Sequence, residues 1–160
     1  MRRKQIALVT GICLLMLGGV LHAQATRTFT VRVLDGKTGK ILAPSNLMVR
    51  VDKQPPIHAD WVRQNEDATA LVTLPASAKW VSVEAAYDES MEIYMHCDVA
   101  PEDYPGERLW YSVAKILASG VAATDGCAKP EKADAWKPVA KPGVLIFFVR
   151  ERKHGDPAGD

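Results

Sequence analysis

Hydrophobic and polar residues alternate along residues 28–52, which we take as the centre of the fold. Apolar residues occupy every second position in two runs, 29–33 and 47–51. Alternation with a period of two predicts half-buried β-strands. Residues 35–40, between the runs, contain two glycines, which favour a turn. We therefore expect two strands joined by a turn, with the rest of the chain covering them.

Later runs predict further strands. Residues 70–74 and 81–87 alternate in the same way, and Pro75 ends the first of them. The run 91–97 carries apolar residues at every second position. Residues 144–149, with the sequence VLIFFV, are apolar at every position, which is typical of a central strand covered on both faces.

A helical spacing replaces the alternation near residues 109–119, where large apolar residues recur at intervals of four, three and one. Gly120 can end this short helix. The polar stretches 52–67 and 122–143 contain several prolines and predict long loops. Short strands with frequent turns and one short helix predict an all-β fold, a small β-sandwich.

The pattern V-L-D-x-x-T-G-K-x-L at residues 33–42, followed by an alternating strand and a later Leu74-Pro75, resembles the carboxypeptidase regulatory-like domain. The resemblance covers about residues 28–87. It implies a prealbumin-like (transthyretin-like) sandwich and a mostly non-catalytic role in contacts with carbohydrates or proteins. The family usually has a glycine before the strand that ends in Leu-Pro, whereas this chain has Asp-Ala-Thr-Ala at 67–70.

Residues 1–25 have the form of a secretory signal peptide. Basic residues at 2–4 precede an apolar run at 6–21, and Ala23 and Ala25 supply the small residues of a cleavage site. We predict cleavage after Ala25 and export to the periplasm or the medium. An uncleaved anchor is the alternative, but a spanning helix needs about 20 apolar residues.

Cleavage would leave residues 26–150 as a single sandwich domain and residues 151–160 as a disordered tail. The signal segment holds 3 of the 20 Lys and Arg residues and none of the 19 Asp and Glu, so the mature net charge is 17 − 19 = −2. A mixed surface near neutrality argues against a nucleic-acid partner, which would need a basic stripe. No later apolar run is long enough to span a membrane.

Two cysteines remain after cleavage, Cys97 and Cys127. An even count in an oxidising compartment predicts a disulfide between them. We expect the Cys97 sulfur to point inward and its neighbour His96 to point outward, because successive strand residues face opposite ways. A metal-binding or catalytic thiol is the alternative.

Catalytic motifs are missing from the sequence. The mature histidines lie far apart, and neither G-x-S-x-G nor H-E-x-x-H occurs. The C-terminus also lacks the Tyr-Arg-Gly-Ser motif of transthyretin-like hydrolases. We therefore predict no enzymatic activity, no catalytic residue and no cofactor, with a small exported enzyme as the alternative.

Soft metal ligands cluster at Met91, Met95, His96 and Cys97, and such ligands suit copper(I). A copper-handling protein is therefore a second alternative. The methionines share the expected inward face and are explained as core filling. We predict no metal site.

Aromatic residues in the polar stretches carry the prediction of a binding role. Trp61, flanked by Asp60 and Arg63, and Trp136 lie where no core pattern requires them. Indole faces suit sugar rings or a partner's side chains, although such residues also cap the ends of sandwiches. The other two tryptophans fall within predicted elements, where we expect them in the core: Trp80 and Trp110. The sequence thus predicts an exported, non-enzymatic module that contacts a protein or glycan partner through its loops.

Overall fold

A computed structural model describes residues 25–43, 46–52, 60–86, 94–97, 110–128 and 137–153. Within these residues the chain forms ten strands and one short helix, which confirms the all-β prediction. The strands are β1 (Thr26–Asp35), β2 (Ile41–Leu42), β3 (Asn46–Val51), β4 (Asp60–Arg63), β5 (Thr69–Pro75), β6 (Trp80–Ala86), β7 (Met95–His96), β8 (Tyr111–Ser112), β9 (Val121–Ala122) and β10 (Val144–Arg150). The helix α1 is Val113–Ser119.

The strands form two sheets. In sheet A, β1 pairs in parallel with β10 on one side and antiparallel with β5 and β2 on the other. The far side of β10 pairs with β7 and β9. Sheet B has the order β4-β3-β6-β8, and all its pairs are antiparallel. The run VLIFFV is therefore a central strand, as predicted.

The two strands of the predicted centre do not pair with each other. The turn after Asp35 leads into β2, which pairs with the end of β1, whereas β3 belongs to sheet B. The turn itself is as predicted, because the Asp35 carboxylate accepts the backbone N–H groups of Lys37 and Thr38, and Gly39 has φ +66°. Both strands point their apolar residues into one core, so they lie in opposite layers.

The main core lies between the inner faces of the two sheets. Its fully buried side chains come from both sheets and from the helix: Val31, Val33, Leu47, Val49, Val72, Val81, Val83, Val113, Ile116, Leu145 and Phe147. Because α1 contributes to this core, it covers the inner side of the sandwich and not the outer face of β10.

A second, smaller cluster covers the outer face of β10. Ile146 and Phe148 pack there with Leu34 and Cys97, and Cys127 lies against them half-buried. The absence of alternation in β10 thus has a direct cause, since each face of the strand is covered by apolar side chains.

The helix is shorter than predicted. It begins at Val113, where the Ser112 hydroxyl accepts the N–H of Lys115 as an N-cap. It ends as expected at Gly120, which has φ +76° and donates its N–H to the Ile116 carbonyl at 3.0 Å. Residue 109 lies outside the described residues.

Part of the predicted loop 52–67 is wrong. Residues 60–63 form β4, the edge strand of sheet B, because they pair with β3. The predicted signal segment up to residue 24, residue Trp136 and the tail from residue 154 lie outside the described residues. Within the described residues, no helix is long and apolar enough to cross a membrane.

Candidate functional site

The predicted disulfide is present. Cys97 and Cys127 are bonded, with their Cα atoms 5.1 Å apart. The bridge joins the end of β7 to the irregular segment after β9. Gly36 packs directly against it, and a Cβ at that position would collide with the Cys97 sulfur. The disulfide therefore joins two segments covalently over the outer face of sheet A, and the turn that contains Gly36 packs against it.

Trp61 is exposed, but it lies in a strand and not in a loop. Its side chain is 52% exposed on β4, opposite Met48 of β3. Arg63 is also exposed and lies two residues further along, so it shares the outer face of sheet B with Trp61. Asp60 is exposed on the opposite side of the strand. The predicted site residues other than Trp136 thus meet at one edge of sheet B.

Trp80 was predicted to be core, and this prediction is wrong. It is 43% exposed. In β6 the inward positions are 81, 83 and 85, so Trp80 lies on the outer face of sheet B, as Trp61 does. The alternation of residues 81–87 indicates this, because Trp80 precedes the inward-facing Val81 and therefore lies on the opposite face. Trp110 is half-buried.

Asp52 fixes the position of Trp80. The Asp52 carboxylate accepts the N–H groups of Lys79 and Trp80 at 2.8 Å and 2.9 Å. The N–H of Asp52 donates in turn to the Trp80 carbonyl at 2.9 Å. Asp52 has φ +49°, a conformation that aspartate tolerates better than most residues. Three hydrogen bonds to Asp52 therefore fix the backbone that carries the Trp80 indole.

A buried ion pair lies between the two tryptophans. Arg50 is 3% exposed and donates from Nη1 to the Glu84 carboxylate. Its Nη2 lies 3.3 Å from the sulfur of Met48, the residue opposite Trp61. Arg50 Nε is buried without a hydrogen-bond partner among the described residues. No local pattern in the sequence predicts that Arg50, on the outer face of a sheet, is buried.

From the strand register, the two tryptophans are separated by four positions along β6 and by two strand spacings. This places them roughly 16 Å apart, since a strand rises about 3.3 Å per residue and neighbouring strands lie about 4.8 Å apart. We call the surface formed by Trp61, Arg63, Trp80 and the Arg50–Glu84 pair the tryptophan face.

A cavity of about 220 Å³ lies beside the disulfide. It is lined by both cysteines and by residues from the first turn, β7, β10 and the segment after β9: Lys37, Met95, His96, Gly126 and Arg150. The prediction that the Cys97 sulfur points inward and His96 outward is wrong for both residues, because Cys97 packs in the cluster on the outer face of β10 and His96 faces the main core. The His96 ring stacks on Phe147 of the main core, with centroids 4.7 Å apart and an interplanar angle of 18°.

No protein-family model, no curated protein and no solved structure matches this chain. The resemblance to the carboxypeptidase regulatory-like domain therefore stays a prediction. The β-sandwich architecture does not depend on it, because the two sheets and their shared core are described directly.

Proposed function

We propose that this chain is an exported, non-catalytic module that binds a glycan through the tryptophan face. The observation that supports it is the exposure of Trp61 and Trp80, at 52% and 43%, on the same outer face of one sheet. A half-exposed indole on a rigid strand offers an apolar plane that can stack on a sugar ring at little entropic cost. The surface lies on strands, so the site differs from the loop contact that the sequence predicted.

The chemistry between the indoles favours a glycan over a protein. The centre of a protein interface is apolar and poor in charge. In the described part of the tryptophan face, the centre contains the Arg50–Glu84 pair, of which the Glu84 side chain is 14% exposed, and no large exposed apolar side chain between the two indoles. Two separate aromatic planes roughly 16 Å apart, with a partly exposed carboxylate between them, match two non-adjacent rings of one oligosaccharide better than one continuous hydrophobic patch would.

Export is part of the proposal. It is supported by the basic and apolar pattern of residues 1–25 and by the Cys97–Cys127 disulfide, since such bonds persist mainly in oxidising compartments.

The exposed guanidinium of Arg63 beside Trp61 offers donors to sugar hydroxyls. The proposed ligand is therefore an extracellular or envelope polysaccharide segment.

The test is a glycan array probed with the exported protein, followed by calorimetric titration with the best oligosaccharide. Trp61→Ala and Trp80→Ala should each weaken binding at least tenfold, or about 1.4 kcal/mol. Their thermal melts should stay close to that of the parent, because both side chains are half-exposed. Leu71→Ala is the matched control, since Leu71 is 60% exposed on the outer face of sheet A.

An array without any hit would contradict the glycan proposal. If a protein recovered by pull-down loses affinity in Trp61→Ala while no glycan binds, the face is a protein interface instead. A large drop in the melting temperature of Trp61→Ala would show that the indole supports the fold.

A further inference from the structure

We propose that reduction of the Cys97–Cys127 disulfide converts the adjacent cavity into a zinc site. The observation is geometric. The sulfur atoms of Cys97 and Cys127 and a carboxylate oxygen of Asp125 all lie within 4.8 Å of one another. Thiolates and carboxylates are common zinc ligands, and a zinc ion brings four ligand atoms together at roughly 2.0–2.3 Å.

The ligands are held in place by contacts other than the sulfur–sulfur bond. Cys97 donates its N–H to the Phe148 carbonyl at 3.0 Å and accepts the N–H of Gly126 at 3.0 Å. Asp125 accepts the N–H groups of Cys127 and Ala128 at 3.0 Å and 3.3 Å. Because these bonds do not depend on the disulfide, the reduced cysteines stay beside the carboxylate.

Reduction also allows the charge of the protein groups around the cavity to change when zinc binds. In the oxidised protein, the neighbouring charges of Lys37, Arg150 and Asp125 sum to +1, and a disulfide is a poor metal ligand. A dithiol reductant can transfer two electrons and two protons to the disulfide and itself become a disulfide. Zinc then displaces the two thiol protons, and the two thiolates change the local protein charge from +1 to −1.

The cavity provides space for a fourth zinc ligand. Its volume of about 220 Å³ leaves room for a water molecule as the fourth ligand. His96 lines the same cavity. One oxygen ligand beside two sulfurs suits zinc better than copper(I), which prefers soft ligands throughout. The metal chemistry therefore differs from the copper alternative that Met91, Met95, His96 and Cys97 raised in the sequence.

The experiment compares zinc binding by the oxidised and reduced forms of the exported protein, in which Cys97 and Cys127 are the two cysteines. The protein is reduced with a phosphine, freed of reductant, loaded with zinc and desalted. Zinc is then counted by mass spectrometry and thiols by a colorimetric reagent. We expect one zinc ion per reduced chain and none per oxidised chain, and cadmium in place of zinc should give an ultraviolet thiolate-to-metal absorption band.

Three variants separate the site from general thiol binding. Asp125→Asn should weaken zinc binding by the reduced protein at least tenfold. Asp35→Asn should not, although Asp35 also accepts turn N–H groups through its carboxylate. Lys37→Gln should strengthen zinc binding, because it removes a positive charge from the cavity wall.

Several results would overturn the proposal. One is a reduced protein that retains no zinc. Another is equal zinc retention after replacing both cysteines by serine. A third is a reduced chain that loses its near-ultraviolet circular dichroism and does not regain it with zinc, because the thiols would then no longer share a site.

Discussion

At the scale of single residues, the Arg50–Glu84 pair is the most consequential contact of the tryptophan face. The side chains are only 4% and 14% exposed. Removing charges from water is costly, so a buried pair adds little net stability, whereas breaking it leaves an uncompensated charge. The effect of the Arg50–Glu84 pair on stability is therefore detected mainly when one of the two residues is replaced.

We predict that Glu84→Ala lowers the free energy of unfolding by about 3–5 kcal/mol, the range for a buried charge deprived of its partner. Urea denaturation measures this change. The double variant Arg50→Met, Glu84→Leu should recover most of the loss, and Glu66→Ala, at an exposed carboxylate, should change stability little. A double variant as unstable as Glu84→Ala would show that the pair stabilises the fold in its own right.

Asp67 provides a prediction about pH. The pKa of its carboxyl is lowered below 3.8, chiefly because it accepts hydrogen bonds from the Thr69 hydroxyl at 2.6 Å and the Thr69 N–H at 3.0 Å. A carboxyl with a depressed folded-state pKa stabilises the fold above its unfolded pKa. That contribution is lost as the pH falls through the folded pKa.

The stability difference between the parent and Asp67→Asn should therefore be largest near neutral pH and shrink as the pH falls below 3.8. Urea denaturation at a series of pH values measures it. Because Asp67 is exposed, the difference should be small and should decrease with added salt. A difference that stays constant down to pH 2 would mean that the carboxylate charge is not involved.

At the scale of elements, alternation located the strands but not their partners. The apolar positions of β1 and β3 were predicted correctly, yet the two strands lie in different sheets. Their local patterns are alike, because each needs only one buried face. Which strand lies beside which is decided by the packing of the whole sandwich, and no local pattern records it.

Strand β4 differs from β1 and β3, because its own sequence did not predict a strand at all. Its sequence, Asp-Trp-Val-Arg, contains too little alternation to predict a strand, and the neighbouring prolines favoured a loop. These residues form a strand because their backbone pairs with β3, although their side-chain pattern does not predict one. The same pairing brings Trp61 opposite Met48, so the surroundings of the predicted binding residue could not have been derived from the residues next to it.

At the scale of the whole molecule, the predicted cleavage position and the first strand coincide. The strand β1 begins at Thr26, directly after Ala25. The Ala25 carbonyl accepts the N–H of Ala76 at 2.8 Å, and no core residue precedes Phe29 among the described residues. Among the described residues, cleavage after Ala25 would therefore remove this hydrogen bond and no member of the core.

We predict that the exported protein begins at Thr26. Intact-mass spectrometry and N-terminal sequencing of protein recovered from the periplasm or medium would measure this. Ala25→Leu should slow processing, because a bulky residue at this position is a poor substrate for signal cleavage, whereas Ala118→Leu, at an exposed position of the helix, should not. Exported protein that still carries Met1 or Arg2 would contradict the prediction.

The parallel pair of β1 and β10 has a consequence for the order of events during folding. It joins the first and last described strands at the middle of sheet A, from Thr30 opposite Val144 to Asp35 opposite Val149. In a chain that emerges from its amino end, one edge of β1 stays unpaired until β10, the last described strand, has also emerged. Such distant contacts make folding slow, and an open strand edge invites pairing with another molecule. The period before β10 arrives is therefore when the unpaired edge of β1 is most exposed to aggregation.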